Sequence, residues 1–136
     1  MEFIDFTGNK VAVVGCPGCN YKSIPGLVFE NDVCYVSQDW ELPICGMLVV
    51  APRRHVEYFE ELTEQERKVI FDVVNKVISL LRKDKVAKEF NVIFEEKKGR
   101  HFHIWILPRD GWKEIGIDPT KDIRLLQVYA KENLRT

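Results

Sequence analysis

Residues 99–110 read GRHFHIWILPRD, and apolar and ring-bearing side chains alternate along the centre of this stretch. Because successive side chains of a β-strand point to opposite faces, the alternation predicts a strand with one apolar face. That face carries Phe102, Ile104 and Ile106. The other face carries His101, His103 and Trp105, which places the two imidazoles roughly 6.6 Å apart along the strand. Two histidines in this arrangement can take separate roles, one as a metal ligand and one facing a substrate.

Composition and charge describe an ordinary globular chain with no general affinity for nucleic acid. Of its 136 residues, 46% are hydrophobic and 30% are charged, which is typical of one folded domain, here residues 1–136. The formal net charge is −1, whereas proteins that bind nucleic acid generally carry a basic excess. The N-terminus lacks a signal-peptide pattern and no apolar run is long enough to cross a bilayer, so we expect a cytoplasmic protein without a membrane partner.

Five further segments predict strands that accompany this one. They are KVAVV (10–14), LVFE (27–30), VCYVSQ (33–38), MLVVAP (47–52) and NVIF (91–94). Asn31 and Asp32 form a turn signal between the second and the third of these segments and therefore predict a hairpin.

A long helix is predicted between the strands, beginning behind Thr63. Thr63 and Glu66 have the spacing of a capping box. Apolar residues then recur at helical spacing, namely Ile70, Val73, Val74, Val77, Ile78 and Leu81. A second helix is predicted near the C-terminus, from Thr120 to Tyr129. Strands on both sides of one central helix indicate an α+β fold with an antiparallel sheet.

The four cysteines are expected to be free thiols or metal ligands, since disulfides are rare in cytosolic proteins. Cys16 and Cys19 form a CxxC pair, which can be a metal-binding turn, a redox dithiol or a plain turn. The βαβ context of a thioredoxin-like dithiol is not predicted around this pair. Cys34 and Cys45 lie in apolar, strand-like sequence and are interpreted as buried small side chains.

HFHIWIL resembles the His-φ-His-φ-His-φ-φ signature of the histidine triad superfamily, in which φ is an apolar residue and Trp105 here replaces the third histidine. CPGCNYKSIPGLVFEND (16–32) resembles that family's N-terminal CxxC, Ile-Pro and acidic turn. GMLVVAPRRH (46–55) resembles its strand that ends in Pro-Lys/Arg-x-His. The resemblance covers about residues 16–109. It implies a five-stranded antiparallel sheet with one long helix between the third and fourth main strands.

The resemblance also implies a metal site. In the zinc-containing branches of the family, one metal is bound by the CxxC pair, the histidine after the Pro-basic turn and the first histidine of the triad. In this chain these ligands are Cys16, Cys19, His55 and His101. Two thiolates and two imidazoles suit tetrahedral zinc, and four protein ligands would make the site closed and structural.

The middle histidine of the motif, His103, is implied to be the nucleophile. In the family this residue attacks the α-phosphate of a nucleotide and forms a nucleotidyl-histidine intermediate, which water or another acceptor resolves. A neutral imidazole is a competent nucleophile near pH 7. The phosphoryl oxygens also need cationic or N–H donors, and the loop ahead of the strand offers Lys97, Lys98, Gly99 and Arg100.

Three further residues are candidates for contacting the nucleotide. Asp39 lies near the position where the family keeps a carboxylate for the ribose hydroxyls, and it can alternatively cap a loop. Asn91 is the candidate for the asparagine that the family places before its phosphate loop. Trp105 can stack on a base, form the pocket floor or pack in the core. Its indole offers one N–H donor and no proton to transfer.

These expectations favour a nucleotide hydrolase or nucleotidyltransferase, and two other interpretations stay open. One is a nucleotide-binding or regulatory module that has lost turnover together with the third histidine. The other is a zinc-stabilised interaction domain without a nucleotide site. The resemblance further implies a homodimer, since members of the family usually dimerise.

Overall fold

The computed structural model describes residues 1–5, 8–40, 48–83 and 88–108. These residues form seven strands and one long helix. They are β1 (Glu2–Ile4), β2 (Lys10–Ala12), β3 (Leu27–Glu30), β4 (Cys34–Gln38), β5 (Leu48–Pro52), α1 (Glu64–Lys83), β6 (Phe90–Glu95) and β7 (His103–Pro108). Short 3-10 helices lie at Tyr21–Ser23 and Phe59–Glu61. Within these ranges, no helix has the length and apolar character needed to cross a membrane.

Five strands build one antiparallel sheet in the order β3-β4-β5-β7-β6. The histidine-bearing strand β7 therefore pairs with β5 on one side and β6 on the other. Helix α1 lies in the sequence after the first three strands of this sheet and before the last two. The predicted α+β fold, with a five-stranded antiparallel sheet and one long central helix, is confirmed.

One face of the sheet forms the core with α1. Ile104 and Ile106 are completely buried there and Phe102 is almost so, which confirms the predicted apolar face of the histidine stretch. The helix contributes the buried side chains Ile70, Val73, Val74, Val77 and Leu81. Burial of this apolar face fixes the position of the β7 backbone in the sheet.

The segment between β5 and α1 is tied to the first turn of the helix. The Glu66 N–H donates to Thr63 Oγ1 at 3.1 Å, and the Thr63 N–H donates to Glu66 Oε1 at 2.9 Å, which confirms the predicted capping box. The Arg54 guanidinium donates to both Glu66 oxygens, at 2.8 and 3.1 Å, and to the Glu61 carbonyl at 2.8 Å. These bonds anchor the backbone immediately beside His55.

Two details differ from the sequence predictions. The predicted strand 10–14 is shorter, at Lys10–Ala12, and pairs with β1 in a separate two-stranded sheet. Strand β7 begins at His103, because the Phe102 N–H donates to the carbonyl of Val56 at 2.7 Å outside the sheet. Cys34 is buried as predicted. Cys45 and the predicted C-terminal helix lie outside the described residues.

Candidate functional site

The structure brings the four predicted metal ligands together at the end of the sheet where β5 finishes and β7 begins. Cys16 Sγ lies 3.4 Å from His55 Nδ1 and 3.5 Å from His101 Nδ1. Cys19 Sγ lies 3.5 Å from His55 Nδ1 and 3.6 Å from His101 Nδ1. All four ligand atoms lie within 4.8 Å of one another. We call these four residues the metal cluster.

The spacing of the metal cluster fits a tetrahedral zinc ion. With bonds of about 2.3 Å to sulfur and about 2.0 Å to nitrogen, such an ion holds a sulfur and a nitrogen ligand roughly 3.6 Å apart. The four sulfur–nitrogen distances, 3.4–3.6 Å, match this value. Two thiolates neutralise the charge of a divalent cation, so the chemistry of the donor set agrees with its geometry.

Both imidazoles of the metal cluster are oriented by an oxygen atom at their outer nitrogen. His101 Nε2 lies 2.6 Å from the carbonyl oxygen of Pro52. Because a carbonyl can only accept, Nε2 carries the hydrogen and Nδ1 presents its lone pair to the thiols. His55 Nε2 lies 3.6 Å from Glu57 Oε2, an ion-pair distance somewhat longer than a hydrogen bond. Both rings therefore direct Nδ1 at the same point.

The turn that carries the two cysteines is shaped to fit against His101. A Cβ atom at Gly18 would collide with the His101 ring, lying 2.7 Å from its Nδ1, so only glycine allows this approach. The Asn20 side-chain amide donates to the carbonyls of Cys16 at 2.8 Å and Val14 at 3.2 Å. These bonds satisfy the turn's carbonyls and hold both sulfur atoms on one side of it.

Two members of the metal cluster have shifted pKa values. Burial and the neighbouring Cys16 thiol raise the pKa of Cys19 to about 11, so at neutral pH this thiol is protonated until a cation displaces the proton. Burial, together with the nearby His55 and His103 rings, lowers the pKa of His101 despite its bond to Pro52. His101 is therefore neutral at pH 7, which is the form that binds a metal.

The predicted nucleophile, His103, lies at the start of β7, half-buried on the sheet face opposite α1. Its Nδ1 lies 3.0 Å from the carbonyl oxygen of His101. As with His101, the carbonyl requires Nδ1 to be the donor, which leaves Nε2 with a free lone pair. One residue thus contributes its side chain to the metal cluster and its carbonyl to the orientation of His103.

The pairing of the strands identifies the side chains that share this face with His103. Residues directly opposite in an antiparallel pair lie on the same face. His103 pairs with Glu95 of β6, and Trp105 pairs with Val49 of β5 and Ile93 of β6. The His103 and Trp105 rings lie 5.6 Å apart between centroids. We call the face formed by these five residues the His103 face.

Trp105 belongs to the His103 face. Its side chain is half-buried, and its indole nitrogen is buried without a hydrogen-bond partner in the part of the chain that the structure describes. A buried donor that finds no partner costs free energy, typically about 1–3 kcal/mol. Trp105 therefore lies on the sheet face opposite α1, and its three predicted roles stay predictions.

The remaining nucleotide candidates are distributed along the same face. Asn91 pairs with Leu107, four residues beyond His103 and so about 13 Å further along the strand. Asp39 follows the last residue of β4 and lies half-buried at the same distant end of the sheet. The structure does not place either residue beside His103.

The predicted phosphate loop lies immediately ahead of His101 and is fully exposed. A hydrogen bond of 3.0 Å from the Arg100 N–H to the Lys97 carbonyl closes the turn, and Gly99 has a φ of +83°. A positive φ at the third position is what a type II turn requires, which explains the glycine. The turn holds Lys97, Lys98 and Arg100 in one exposed cationic group.

Several residues that shape the site were not predicted from the sequence. Pro52 accepts a hydrogen bond from His101, Glu57 faces His55, Gly18 and Asn20 shape the cysteine turn, and Glu95 lies opposite His103. Glu57 stands only two residues after His55, and Asn20 contacts carbonyls of its own turn. Pro52, Gly18 and Glu95 act through contacts between distant segments.

No family profile and no curated protein sequence matches the chain, but solved structures do. One of these is a zinc-bound histidine triad family protein from Mycobacterium smegmatis. It is 17% identical with a TM-score of 0.67, over 86% of this chain and 94% of that one. The chain has the histidine-triad fold. At this identity the likeness concerns the fold, and the predicted resemblance is confirmed at that level.

Two further structures with the histidine-triad fold also superpose on the chain. The diadenosine triphosphate hydrolase of Plasmodium falciparum is 16% identical with a TM-score of 0.63, over 81% of this chain and 79% of that one. A uridylyltransferase is 16% identical with a TM-score of 0.68, over 89% of this chain and 46% of its own length. This chain therefore spans less than half of the transferase.

Proposed function

We propose that this protein is a nucleotide hydrolase or nucleotidyltransferase that attacks the α-phosphate of its substrate with His103. The carrying observation is the 3.0 Å hydrogen bond from His103 Nδ1–H to the carbonyl of His101, which leaves Nε2 as the nucleophilic atom. Among the described histidines, His55 and His101 direct Nδ1 at the thiols of the metal cluster, whereas His103 takes no part in it.

The proposed reaction has two displacements. The Nε2 lone pair of His103 forms a bond to the α-phosphorus, and the bond to the leaving group breaks with its electron pair going to the departing oxygen or nitrogen. The imidazole then carries a positive charge, and the His101 carbonyl stabilises it through Nδ1–H. In the second displacement, water or another acceptor attacks the phosphorus and loses a proton, and Nε2 recovers its electron pair.

The other predicted residues have roles in binding the substrate. Lys97, Lys98 and Arg100, with the amide of Gly99, would approach the phosphoryl oxygens, because they form the exposed cationic turn ahead of β7. Trp105 would donate its unpartnered N–H to the substrate or stack on its base. Asp39 and Asn91 would contact the nucleoside, at the end of the sheet distant from His103.

The neighbours in fold support this class of chemistry. One is a diadenosine triphosphate hydrolase and another is a uridylyltransferase, so proteins of this fold act on nucleotides by hydrolysis and by transfer. Neither protein specifies the substrate of this chain. The leaving group and the preferred base therefore stay open within the proposal.

Cys16, Cys19, His55 and His101 would hold a structural zinc ion, as the distances and donor set of the metal cluster indicate. The ion would contribute folding free energy and no reaction step. By joining the cysteine turn to the residue that precedes β7, these ligands would fix the position of the His101 carbonyl and hence of the nucleophile.

The test is turnover by the wild-type protein and its His103→Ala variant. The panel contains adenosine and guanosine phosphoramidates, dinucleoside polyphosphates and nucleotide sugars, and mass spectrometry detects a nucleotidyl adduct on the protein. We expect turnover to fall at least ~10³-fold in the variant and the adduct to disappear, because the nucleophile is gone. Metal content and melting temperature should stay unchanged. Turnover that survives the substitution would contradict the assignment of His103.

A second candidate is favoured by Trp105. At the position of the third motif histidine, an indole cannot transfer a proton to a leaving group, so the protein would bind a nucleotide without converting it. Nucleotide binding measured by calorimetry, combined with no turnover of any substrate in the panel, would identify this regulatory module. Melting that responds to a chelator but to no nucleotide would identify a zinc-stabilised interaction domain.

A homodimer is also proposed. Strand β6 is an edge of the sheet and exposes Val92, Ile93 and Phe94 in succession, and α1 exposes Phe71 beside Phe94. An exposed apolar edge strand is a template for pairing with another chain, and a second copy would pair with it antiparallel. Light scattering should then give twice the chain mass of 15.9 kDa, and the monomer mass would contradict the proposal.

A further inference from the structure

The two imidazoles of the metal cluster are held by acceptors of different chemistry. The buried His101 donates to a neutral backbone carbonyl at 2.6 Å, and His55 faces the carboxylate of Glu57 at 3.6 Å. The His55 side chain is 41% exposed and that of Glu57 is 29% exposed. Of the two imidazole ligands, the solvent-exposed one is thus the one that faces a charged partner.

We infer that Glu57 is a positioning residue of the metal cluster, acting on the bound cation through the Nε2–H of His55. This inference rests on the proposed zinc site. A carboxylate at the outer nitrogen of a ligating histidine fixes which nitrogen carries the hydrogen and raises the basicity of the other. A small rotation of either side chain shortens 3.6 Å to a hydrogen bond, and the cation on Nδ1 makes Nε2–H a stronger donor.

The position of His55 explains why such an anchor is needed. His101 is fixed by burial as well as by its bond to Pro52. His55 is exposed, and its ring contacts the two thiols and the His101 ring only on its inner side, so a partner at its outer edge would restrict its rotation. The Arg54–Glu66 pair holds the backbone beside it, and Glu57 holds the ring.

The ordinary alternative is that Glu57 is a surface carboxylate at a chance distance from a histidine. Exposed ion pairs contribute about 0–1 kcal/mol, and many contribute nothing measurable. The two alternatives differ in one respect. A chance neighbour affects metal binding no more than any other nearby carboxylate, whereas a positioning residue acts only through the second ring nitrogen of His55.

The experiment measures cobalt(II) affinity by competition with a chromophoric chelator, with thiolate-to-cobalt absorption as the direct signal. The proteins are wild type, Glu57→Ala, Glu57→Gln and the control Glu60→Ala, which removes an exposed carboxylate from the same segment. We expect Glu57→Ala to weaken cobalt binding about 10- to 100-fold, the range found for second-layer partners of metal ligands. Glu60→Ala should match wild type. The cobalt affinity of Glu57→Gln should lie between those of wild type and Glu57→Ala, since the amide oxygen of glutamine still accepts a hydrogen bond.

A double-mutant cycle isolates the route through His55. In a His55→Cys background the ligand has no second ring nitrogen, so adding Glu57→Ala should leave cobalt affinity unchanged. An equal loss in both backgrounds would overturn the inference, and so would Glu57→Ala binding as tightly as Glu60→Ala. Failure of the wild-type protein to bind cobalt would instead contradict the zinc site on which the inference rests.

Discussion

The metal cluster and the His103 face are neighbours built in opposite ways. In the cluster, four side chains from three distant segments converge within 4.8 Å, and oxygen atoms face the outer nitrogen of each imidazole. On the His103 face, a hydrogen bond to the His101 carbonyl orients His103, and the other candidate residues extend about 13 Å along the sheet. The proposed metal site is thus specified by contacts among its own residues, whereas the residues of the proposed substrate site are spread along the sheet.

Removing one cluster ligand should have the largest effect. Cys19→Ser replaces a thiolate by a hydroxyl, a poor zinc ligand, so both bound metal and its stabilisation should be lost. At zinc concentrations a thousandfold above the dissociation constant, that stabilisation is about 4 kcal/mol. Metal analysis and urea unfolding, with and without chelator, measure it.

The matched control for Cys19→Ser is the same substitution at Cys34. This thiol is completely buried in the core and is not one of the four residues of the metal cluster. Cys34→Ser should keep the full metal content while losing some stability, because it places a hydroxyl among apolar side chains. If the Cys19→Ser variant retains one zinc per chain, the metal cluster is not specified by its four ligands, and its contrast with the His103 face is lost.

Gly18→Ala tests whether the two regions are joined through His101. The added methyl group collides with the His101 ring, which must move, and overpacking of this kind typically costs about 1–3 kcal/mol. Because the carbonyl of His101 accepts from His103, turnover should fall together with cobalt affinity. A loss of metal affinity with turnover unchanged would show that the regions are independent.

The smallest effect concerns the ion pair that supports the segment of His55. Hydrogen bonds from Arg54, and further bonds from Thr63, lower the pKa of Glu66 to about 2 from its usual 4.5. The pair therefore stabilises the fold above about pH 4.5 and is lost as the pH falls through about 2. Because Arg54 is half-exposed, we expect the ion pair to contribute about 1 kcal/mol to the free energy of unfolding.

Glu66→Gln provides the comparison for this pH dependence, because glutamine keeps the capping hydrogen bond and removes the charge. Wild type should exceed the variant in unfolding free energy at pH 7, and the difference should shrink between pH 4.5 and 2. Both proteins release metal in acid, so the difference between them isolates Glu66. A difference that is constant with pH would contradict the role of the ion pair.

The sequence alone predicts those elements whose signals come from residues close together in the chain. Alternation predicted the faces of β7, apolar spacing predicted the buried stripe of α1, and Thr63 with Glu66 predicted where the helix begins. The start of β7 was placed two residues early, since the Phe102 N–H bonds to Val56, a contact between segments far apart in the chain. The three-residue strand β1 was missed because so short a strand has no readable period.

The residues of the candidate site also divide into those with local sequence signals and those that depend on contacts between distant segments. The metal ligands were grouped through resemblance to a family, since no local rule connects residue 16 with residue 101. Gly18 and Pro52 matter because of what they touch, which spacing in the sequence does not reveal. Glu95 lies just beyond the predicted strand NVIF (91–94), and only the register of β6 against β7 places it opposite His103.

The separation of the ligands along the chain sets an order of events during synthesis. Cys16 and Cys19 leave the ribosome before the two histidines, and His101 follows Cys16 by 85 residues. Closing so long a loop has an entropic cost. The last ligand, His101, directly precedes β7, which lies between β5 and β6 in the sheet. A zinc ion held by all four ligands would therefore mark chains whose translation has passed His101.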